Sequence, residues 1–246
     1  MGILLESPVF TIEAAVQASD NGVHRLELCA DFAEGGTTPS AGTLAFLKEK
    51  LPIPIFVMIR PRGGDFVYTE SEISVMEKDI QYLKSLGADG FVFGVLDEVG
   101  QVNEEACSRL VNAASGLPCT FHRAFDITVD KVIALEKIIA CGFERILTSG
   151  GENTVSLGLE QIKKLMSQAG ERIIIMPGGG TKPEHVWELN QTGNLKEVHA
   201  SCKAFRPSLS RYSHPSVNLS SDPEAFNQVL TIDQYQVIEF LKVLGR

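Results

Sequence analysis

Three residues that can transfer protons stand where apolar runs end. Glu27 lies in a run that closes at Cys29, while His122 and His199 follow short apolar segments later in the chain. Carboxylate and imidazole groups are the usual general acids and bases of enzymes. We therefore predict Glu27 and His122 as catalytic candidates. The alternative for Glu27 is a structural ion pair with Arg60, and a single buried histidine is more often a hydrogen-bonded core residue than a base.

Asp126 is the third catalytic candidate, three residues beyond Arg123 in the sequence. A carboxylate so close to an arginine can take part in proton transfer. It can equally hold that arginine in place or cap the following turn. Both interpretations of Asp126 stay open at this stage.

Arginines and glycines in other turns predict an anion site. Arginine binds carboxylates and phosphates through paired hydrogen bonds, and a glycine turn that leads into a helix exposes backbone N–H groups. The run Pro177-Gly-Gly-Gly180 precedes a predicted helix, although it could also form only a tight turn. The anion-binding candidates are Arg60, Arg62, Arg123, Ser149, Gly178, Gly179 and Gly180.

The elements that must position these residues alternate between strand and helix about every 30 residues, the period of a βα unit. Eight such units without a linker predict one (β/α)8 TIM-barrel domain over residues 1–246. We expect a last helix over about 232–244, after a polar Ser/Pro-rich stretch from Phe205 to Pro223. The strands are expected to end near residues 6, 29, 60, 96, 123, 148, 176 and 200.

Alternation along each strand decides which side chains face the mouth of the barrel, at the carboxyl ends of its strands. A carboxylate against apolar helices would be costly, so Glu27 is expected inside the barrel. The same parity predicts that the mouth gathers Glu27, Cys29, Arg60, His122, Ser149 and His199.

The composition limits the classes of partner that we expect the protein to bind. The net charge of −9 argues against nucleic-acid binding, and no apolar run reaches the ~20 residues of a membrane span. The five cysteines are scattered and lack CxxC spacing, which indicates reduced thiols rather than a disulfide framework. We expect a cytoplasmic protein that binds neither nucleic acid nor membrane.

Six segments of the chain are distinctive in residue type and order. They are Arg25-Leu-Glu-Leu-Cys29, Glu34-Gly-Gly-Thr-Thr-Pro-Ser40, Ile59-Arg-Pro-Arg-Gly-Gly-Asp-Phe66, Thr120-Phe-His-Arg-Ala-Phe-Asp126, Leu147-Thr-Ser-Gly150 and Met176-Pro-Gly-Gly-Gly180. Together they resemble the CutC family over most of the chain. That resemblance implies a cytoplasmic copper homeostasis protein with a TIM-barrel fold, oligomeric as a homodimer or larger assembly, that binds Cu(I) through cysteine.

Two functions follow as hypotheses. In the first, Cu(I) is bound by Cys29, which the resemblance supplies, with Cys202 and His199 as further metal candidates. Because Cu(I) prefers soft ligands and tight sites usually need two or more, copper binding is only weakly encoded here. In the alternative, the chain is an enzyme that acts on a small anionic or phosphorylated metabolite at the mouth. Whether the chain is an enzyme stays open at the sequence level.

Overall fold

Parallel strands alternate with helices around a closed interior, as the computed structural model describes for residues 2–212, 214, 216–217 and 223–245. The (β/α)8 TIM-barrel prediction is confirmed. Residues 1, 246, 213, 215 and 218–222 lie outside the described residues, so the predicted polar stretch is described only in part. The barrel strands are Leu4–Val9 (β1), Arg25–Leu28 (β2), Ile55–Met58 (β3), Gly90–Phe93 (β4), Cys119–Phe121 (β5), Arg145–Thr148 (β6), Ile174–Pro177 (β7) and Glu197–His199 (β8).

The helices occupy the outside of the barrel. They are Ile12–Asp20 (α1), Ala41–Lys50 (α2), Glu70–Ser85 (α3), Glu104–Ala114 (α4), Lys131–Ala140 (α5), Val155–Ala169 (α6), Pro183–Asn190 (α7) and Gln234–Val243 (α8). Capping residues fix where several of these helices begin. Thr69 begins α3 in a reciprocal capping box with Glu72, and the Asp130 carboxylate accepts two N–H groups at the start of α5.

The start of α1 lies later than the residue pattern alone indicates. A helix-type spacing of apolar residues runs from Pro8 to Asn21, but β1 continues to Val9, with Pro8 opposite Glu27 in the ladder. Thr11 has an extended backbone and its hydroxyl accepts the Ala14 N–H, so the helix starts only after this cap. A proline is tolerated in the strand because it lies near its end.

The strand order in the sheet is β7-β6-β5-β4-β3-β2-β1-β8, with all neighbours parallel. The two end strands, β7 and β8, lie beside each other and close the barrel. The expected strand ends differ most at β1, residue 6 against Val9, and at β4, residue 96 against Phe93.

A hairpin follows the barrel strands and was not foreseen. Lys203–Pro207 (β9) pairs antiparallel with Gln228–Ile232 (β10), so that β9 overlaps the start of the polar stretch predicted from Phe205 to Pro223 and β10 follows its end. The hairpin is attached to α1, because Thr11 Oγ1 donates to the Leu230 carbonyl (2.9 Å) and Arg206 pairs with Glu13 (2.6 Å). The first strand of the hairpin begins at Lys203, four residues after β8 ends at the mouth of the barrel.

Charged side chains fill the barrel interior near the amino-terminal ends of the strands. Arg25 donates to Glu6 of β1 and to Glu197 of β8, and Arg145 of β6 lies 3.2 Å from the same Glu197. Both guanidinium groups stack on the ring of Phe56, at 4.5 and 5.0 Å. This layer forms the floor below the mouth.

Candidate functional site

A cavity of about 330 Å³ opens at the carboxyl ends of the strands. Its size is at the lower end of the range for small-molecule sites. One part of its wall is apolar and includes the side chains of Phe10, Phe32, Met58, Phe66 and Leu147. The remaining wall is polar and includes Glu27, Arg60, His122, Arg123, His199 and Lys203.

Glu27, His199 and Glu6 form a chain of groups at the bottom of the cavity. His199 Nδ1 lies 2.9 Å from Glu6 Oε1, and its Nε2 lies 3.8 Å from Glu27 Oε2. Burial, only partly offset by the charge of His199, raises the pKa of Glu27 to about 7. Burial disfavours a charged Glu6, but Arg25 and His199 together lower its pKa to about 2.

His199 sits between these two carboxyl groups. Burial opposes its charged form, yet the hydrogen bond to Glu6 and the charge of Glu27 raise its pKa overall. Because Glu6 is the acceptor, it fixes the His199 ring with a proton on Nδ1. The second ring nitrogen then faces Glu27 Oε2 at 3.8 Å, a charge–charge contact that is longer than a hydrogen bond.

His122 differs from His199 in the ring nitrogen that carries the proton. Its Nδ1 accepts a hydrogen bond from the Ala124 N–H (3.3 Å), so the proton of the neutral ring lies on Nε2. Burial and the positive charge of Arg60 lower the pKa of His122 to about 3. A Cβ at Gly94 would lie 2.8 Å from His122 Nδ1, so this ring position requires a glycine on the neighbouring strand end.

Arg60 fixes two loops of the mouth. Its guanidinium donates to the carbonyls of Glu34 (2.6 Å), Gly36 (2.9 Å) and Gly64 (2.7 Å), and it stacks on Phe66 at 5.0 Å. The structural ion pair with Glu27 that was considered from the sequence is not formed between these two described residues. The backbone carbonyls of the two loops satisfy the arginine instead.

Arg62 lies outside the cavity wall. Its guanidinium is paired with Glu72 (2.6 Å) and Asp65 (3.0 Å), and 39% of its side chain is exposed. The alternation of side-chain direction along β3 ends with the strand at Met58, before either Arg60 or Arg62. Beyond that residue the loop, and no longer the strand, decides where a side chain points.

Asp126 occupies the glycine turn after β6. Its carboxylate accepts hydrogen bonds from Thr148 Oγ1 (2.5 Å), the Ser149 N–H (3.1 Å) and the Gly151 N–H (3.0 Å), and it pairs with Arg123 (2.8 Å). A turn of N–H groups of this kind binds anions. Here the anion is the chain's own carboxylate, and Ser149 belongs to that internal arrangement.

The second glycine turn, residues 178–180 after β7, lies against Arg123 and the interior of the barrel. A Cβ at Gly179 would come within 3.0 Å of the Arg123 guanidinium carbon, and one at Gly178 within 2.2 Å of Leu147. The Gly178 N–H donates to the Thr148 carbonyl (2.9 Å). Within the described residues, the N–H groups of Gly179 and Gly180 have no protein acceptor, and neither has Arg123 Nη1.

The two candidate metal cysteines lie in different environments. Cys29 packs inside the barrel with Phe56, Met58 and Val92, whereas Cys202 belongs to the main apolar core. Burial and the nearby carboxylate of Glu27 raise the pKa of the Cys29 thiol, and burial raises that of Cys202 to about 12. Among the described residues, no three His, Cys, Asp or Glu side chains form a group suited to a metal ion.

Several residues of the site were missed from the sequence. Glu6, Phe66 and Lys203 were not singled out, although all three contribute to the mouth or to its proton chain. Glu6 could have been found, because a carboxylate in an apolar strand must face the interior just as Glu27 does. No comparable signal marked Lys203, which lies at the rim because of the unforeseen hairpin.

Three buried side chains present unpartnered polar atoms at this cavity. Glu27, Arg60 and His122 are 4%, 6% and 4% exposed, and Glu27 Oε1, Arg60 Nε and His122 Nε2 have no hydrogen-bond partner among the described residues. An unsatisfied buried polar group costs about 1–3 kcal/mol. Such a group of atoms on one cavity wall indicates a site for a polar ligand.

Fold and site together define a class: a parallel α/β barrel with a small polar cavity at the carboxyl ends of its strands, where barrel enzymes carry their active sites. No helix among the described residues has the length and apolar character needed to cross a membrane.

Comparison with known proteins gives the family. Residues 3–204 match the CutC family. The human copper homeostasis protein cutC homolog is 41% identical over 245 residues, covering 100% of this chain and 90% of its own, and the mouse homolog is 45% identical over 220 residues, covering 89% and 81%. A solved CutC structure from Streptococcus agalactiae superposes with a TM-score of 0.75 at 37% identity, covering 81% of this chain and 98% of its own. This chain belongs to the CutC family of copper homeostasis proteins.

Proposed function

We propose that the mouth cavity is an acid–base active site for a small anionic molecule. The observation that carries this proposal is the set of three unpartnered atoms, Glu27 Oε1, Arg60 Nε and His122 Nε2, on one cavity wall. A ligand that accepts hydrogen bonds from Arg60 and His122 and donates one to Glu27 would remove the cost of leaving them buried and unpaired.

The groups behind Glu27 suit proton transfer. Glu6 holds His199 through Nδ1, and the other ring nitrogen of His199 faces Glu27. The carboxylate form of Glu27, which acts as the base, is therefore stabilised by a positive charge on His199, and Glu6 balances that charge. Glu27 is the acid–base group in this scheme, and His199 and Glu6 are positioning residues.

The edge of the cavity that carries Arg123 suits a negative group. Arg123 and Lys203 both line the cavity, and the ammonium of Lys203 is held 4.8 Å from the ring of Phe32. Gly179 lies against the Arg123 guanidinium, since a Cβ there would be 3.1 Å from Nη1. A carboxylate or phosphate at this edge would be bound by charge and by backbone hydrogen bonds. Ser149 and Asp126 support this edge by holding Arg123.

The test is ligand-induced thermal stabilisation with four probes: inorganic phosphate, pyruvate, 2-phosphoglycolate and dihydroxyacetone phosphate. We expect at least one probe to raise the Tm of the wild type. The His122→Asn variant should lose most of that shift, because asparagine keeps an acceptor for the Ala124 N–H but has no group at the position of Nε2. Arg62→Gln is the matched control and should keep the shift. No shift with any probe, or an unchanged shift in His122→Asn, would contradict the proposal.

A second candidate function is Cu(I) binding in the cytoplasm, where the five thiols would stay reduced. It is favoured by the contact between Cys29 and Met58, since a Gly36 Cβ would lie 3.3 Å from Cys29 Sγ and 3.5 Å from Met58 Cε. A thiolate and a thioether are both soft ligands that suit Cu(I). Two such atoms are the minimum for a tight site, and Cys202 lies in the separate apolar core.

Anaerobic Cu(I) titration against a competing chelator tests this candidate. Binding that is lost in Cys29→Ser and weakened in Met58→Leu, but kept in Cys107→Ser, would support it. Cys107 is the control because it is equally buried but lies on α4. Binding that is indifferent to Cys29 would contradict it. Sedimentation velocity on the same samples would test the proposed homodimer or larger homo-oligomer.

A further inference from the structure

The tautomer of His122 narrows the reaction that the proposed active site can perform. Its Nδ1 is occupied by the Ala124 N–H, so its buried Nε2 carries the proton and has no partner within the described part of the chain. The backbone N–H of His122 donates to the Phe93 carbonyl (3.1 Å), and its ring packs 4.7 Å from Phe66. The ring is therefore a fixed, neutral hydrogen-bond donor rather than a mobile base.

Arg60 adds a second donor of restricted reach. Three backbone carbonyls accept hydrogen bonds from Nη1 and Nη2 and use three of its five N–H groups, and Nε is its nitrogen without a partner among the described residues. Most of its donors are thus used to hold the two loops. Its Nε–H can donate a hydrogen bond and place a positive charge beside an oxygen atom.

Glu27 supplies the complementary acceptor. Its Oε1 atom has no described hydrogen-bond partner, while its Oε2 atom faces His199. A carboxylate oxygen, a neutral imidazole N–H and one arginine N–H thus border a single cavity. Fixed donors that face an oxygen on which negative charge develops stabilise that charge without reorganisation. This combination suits an enolate, with its oxygen on the two donors and the adjacent carbon facing the carboxylate.

Resting on the acid–base function proposed above, we infer that the substrate is a small enolisable carbonyl compound with a carboxylate or phosphate at its far end. Glu27 Oε1 removes a proton from the carbon next to the carbonyl. The C–H electron pair becomes the C=C bond of the enolate, and the carbonyl π pair moves to the oxygen held by His122 Nε2–H and Arg60 Nε–H. In an α-hydroxy carbonyl compound, Glu27 then gives the proton to the former carbonyl carbon while the α-hydroxyl proton passes to the enolate oxygen. The new C=O bond forms at the carbon that lost the first proton, which completes an isomerisation with no oxidant or second substrate consumed.

The position of the anionic end follows from the edge of the cavity that carries Arg123. Arg123 Nη1 has no protein acceptor among the described residues, and neither has the N–H of Gly179, which lies against this guanidinium. Because Asp126 already fills the neighbouring glycine turn, an anion is directed to the Gly179 side of Arg123. The substrate is therefore bound at both ends, with its carbonyl at the deeper one.

The experiment compares two probes by isothermal titration calorimetry. Phosphoglycolohydroxamate presents two adjacent oxygens on a planar group and resembles an enediolate, whereas 2-phosphoglycolate has the same phosphate end without that feature. We expect the hydroxamate to bind the wild type at least tenfold more tightly. His122→Asn should lose that preference, and Arg62→Gln should retain it.

Two results would overturn the inference: equal affinity for the two probes, which includes no binding of either, or a preference unchanged in His122→Asn. If 2-phosphoglycolate or another of the four probes binds at the mouth without any hydroxamate preference, this inference fails and the proposed function stands. If no probe binds, both fail. Long-range ¹H–¹⁵N spectra provide an independent check, because His122 should be a neutral ring protonated on Nε2 at pH 6.

Discussion

At the scale of single residues, burial decides which form of each titratable side chain is present in the mouth. His122 and Glu27 are both enclosed, yet one is a donor and the other an acceptor, because their neighbours differ. The Ala124 N–H takes one nitrogen of His122, whereas His199 faces one oxygen of Glu27. The chemistry proposed for the site follows from these two local contacts rather than from residue type alone.

His122 should make the protein less stable in mild acid. In the unfolded chain its pKa is near 6.5, but in the folded protein burial and Arg60 lower it to about 3. Between these values only the unfolded state takes up the proton, so this contribution to the free energy of unfolding decreases as the pH falls from 6.5 toward 3. The His122→Asn variant lacks this pH-dependent contribution. We expect the stability of the wild type relative to His122→Asn to fall by a few kcal/mol between pH 7 and pH 4.

Urea denaturation of both proteins at several pH values measures this difference. Glu6, with its lowered pKa of about 2, also loses stabilisation in acid, from pH 4.5 downward, but both proteins share that loss. The prediction is wrong if the free energies of unfolding of the two proteins change in parallel between pH 7 and pH 4. His122 would then take up its proton as readily in the folded state as in the unfolded state.

At the scale of elements, the turns after β6 and β7 are built by close backbone packing. Gly158 in α6 lies so near the preceding turn that a Cβ there would be 1.9 Å from the Ser149 carbonyl oxygen. Asp126, from the loop after β5, supplies the carboxylate that satisfies the turn. The edge that holds Arg123 therefore depends on three separate segments meeting.

Replacement of Gly158 by alanine tests this packing. Alanine favours a helix interior by about 1 kcal/mol over glycine, but overlap with backbone atoms costs about 1–3 kcal/mol or more. We expect the overlap to dominate, because the contacted atom is backbone, and the free energy of unfolding to decrease by about 1–2 kcal/mol. Gly42→Ala in α2 is the control. Its nearest contact would be 4.0 Å away, so chemical denaturation should find it neutral or slightly stabilising. A stabilised Gly158→Ala would show that the turn can move.

At the scale of the whole molecule, the charged floor joins strands that the sheet order leaves apart. Glu197 of β8 is bound by Arg25 of β2 and by Arg145 of β6, so its carboxylate links both sides of the place where β7 and β8 meet. The same floor carries Glu6, which orients His199. The strands that meet at the barrel seam and the groups behind Glu27 are therefore coupled through Arg25, which binds both carboxylates.

Glu197→Gln should be strongly destabilising. The change leaves Arg145 without a buried carboxylate and Arg25 with Glu6 alone, and removing one partner from a buried charged group costs about 3–5 kcal/mol. The matched control is Glu136→Gln, which breaks an exposed pair with Arg172 at 2.6 Å and should cost about 1 kcal/mol or less. Thermal and urea unfolding of the two variants provide the comparison. Equal small losses would mean that the floor is solvated enough to tolerate a missing carboxylate.

The sequence by itself determined the architecture and the end of the barrel at which chemistry is expected. Apolar runs with turn residues at a regular period specify βα units, and a carboxylate in such a run specifies its inward face. For this reason Glu27, Arg60 and His122 could be predicted at one mouth. Capping residues such as Thr69 and Asp130 likewise fix helix starts locally.

Only the tertiary structure decided which contacts those residues make. The carbonyls that hold Arg60, the N–H groups that surround Asp126 and the pairing of Arg62 with Glu72 all come from loops whose paths have no periodic signal. The β9–β10 hairpin pairs segments about twenty residues apart, and Glu6 meets His199 across nearly the whole chain. Local patterns encode periodicity and caps. Tautomers, pKa shifts and unpartnered atoms depend on neighbours that only the closed barrel brings together.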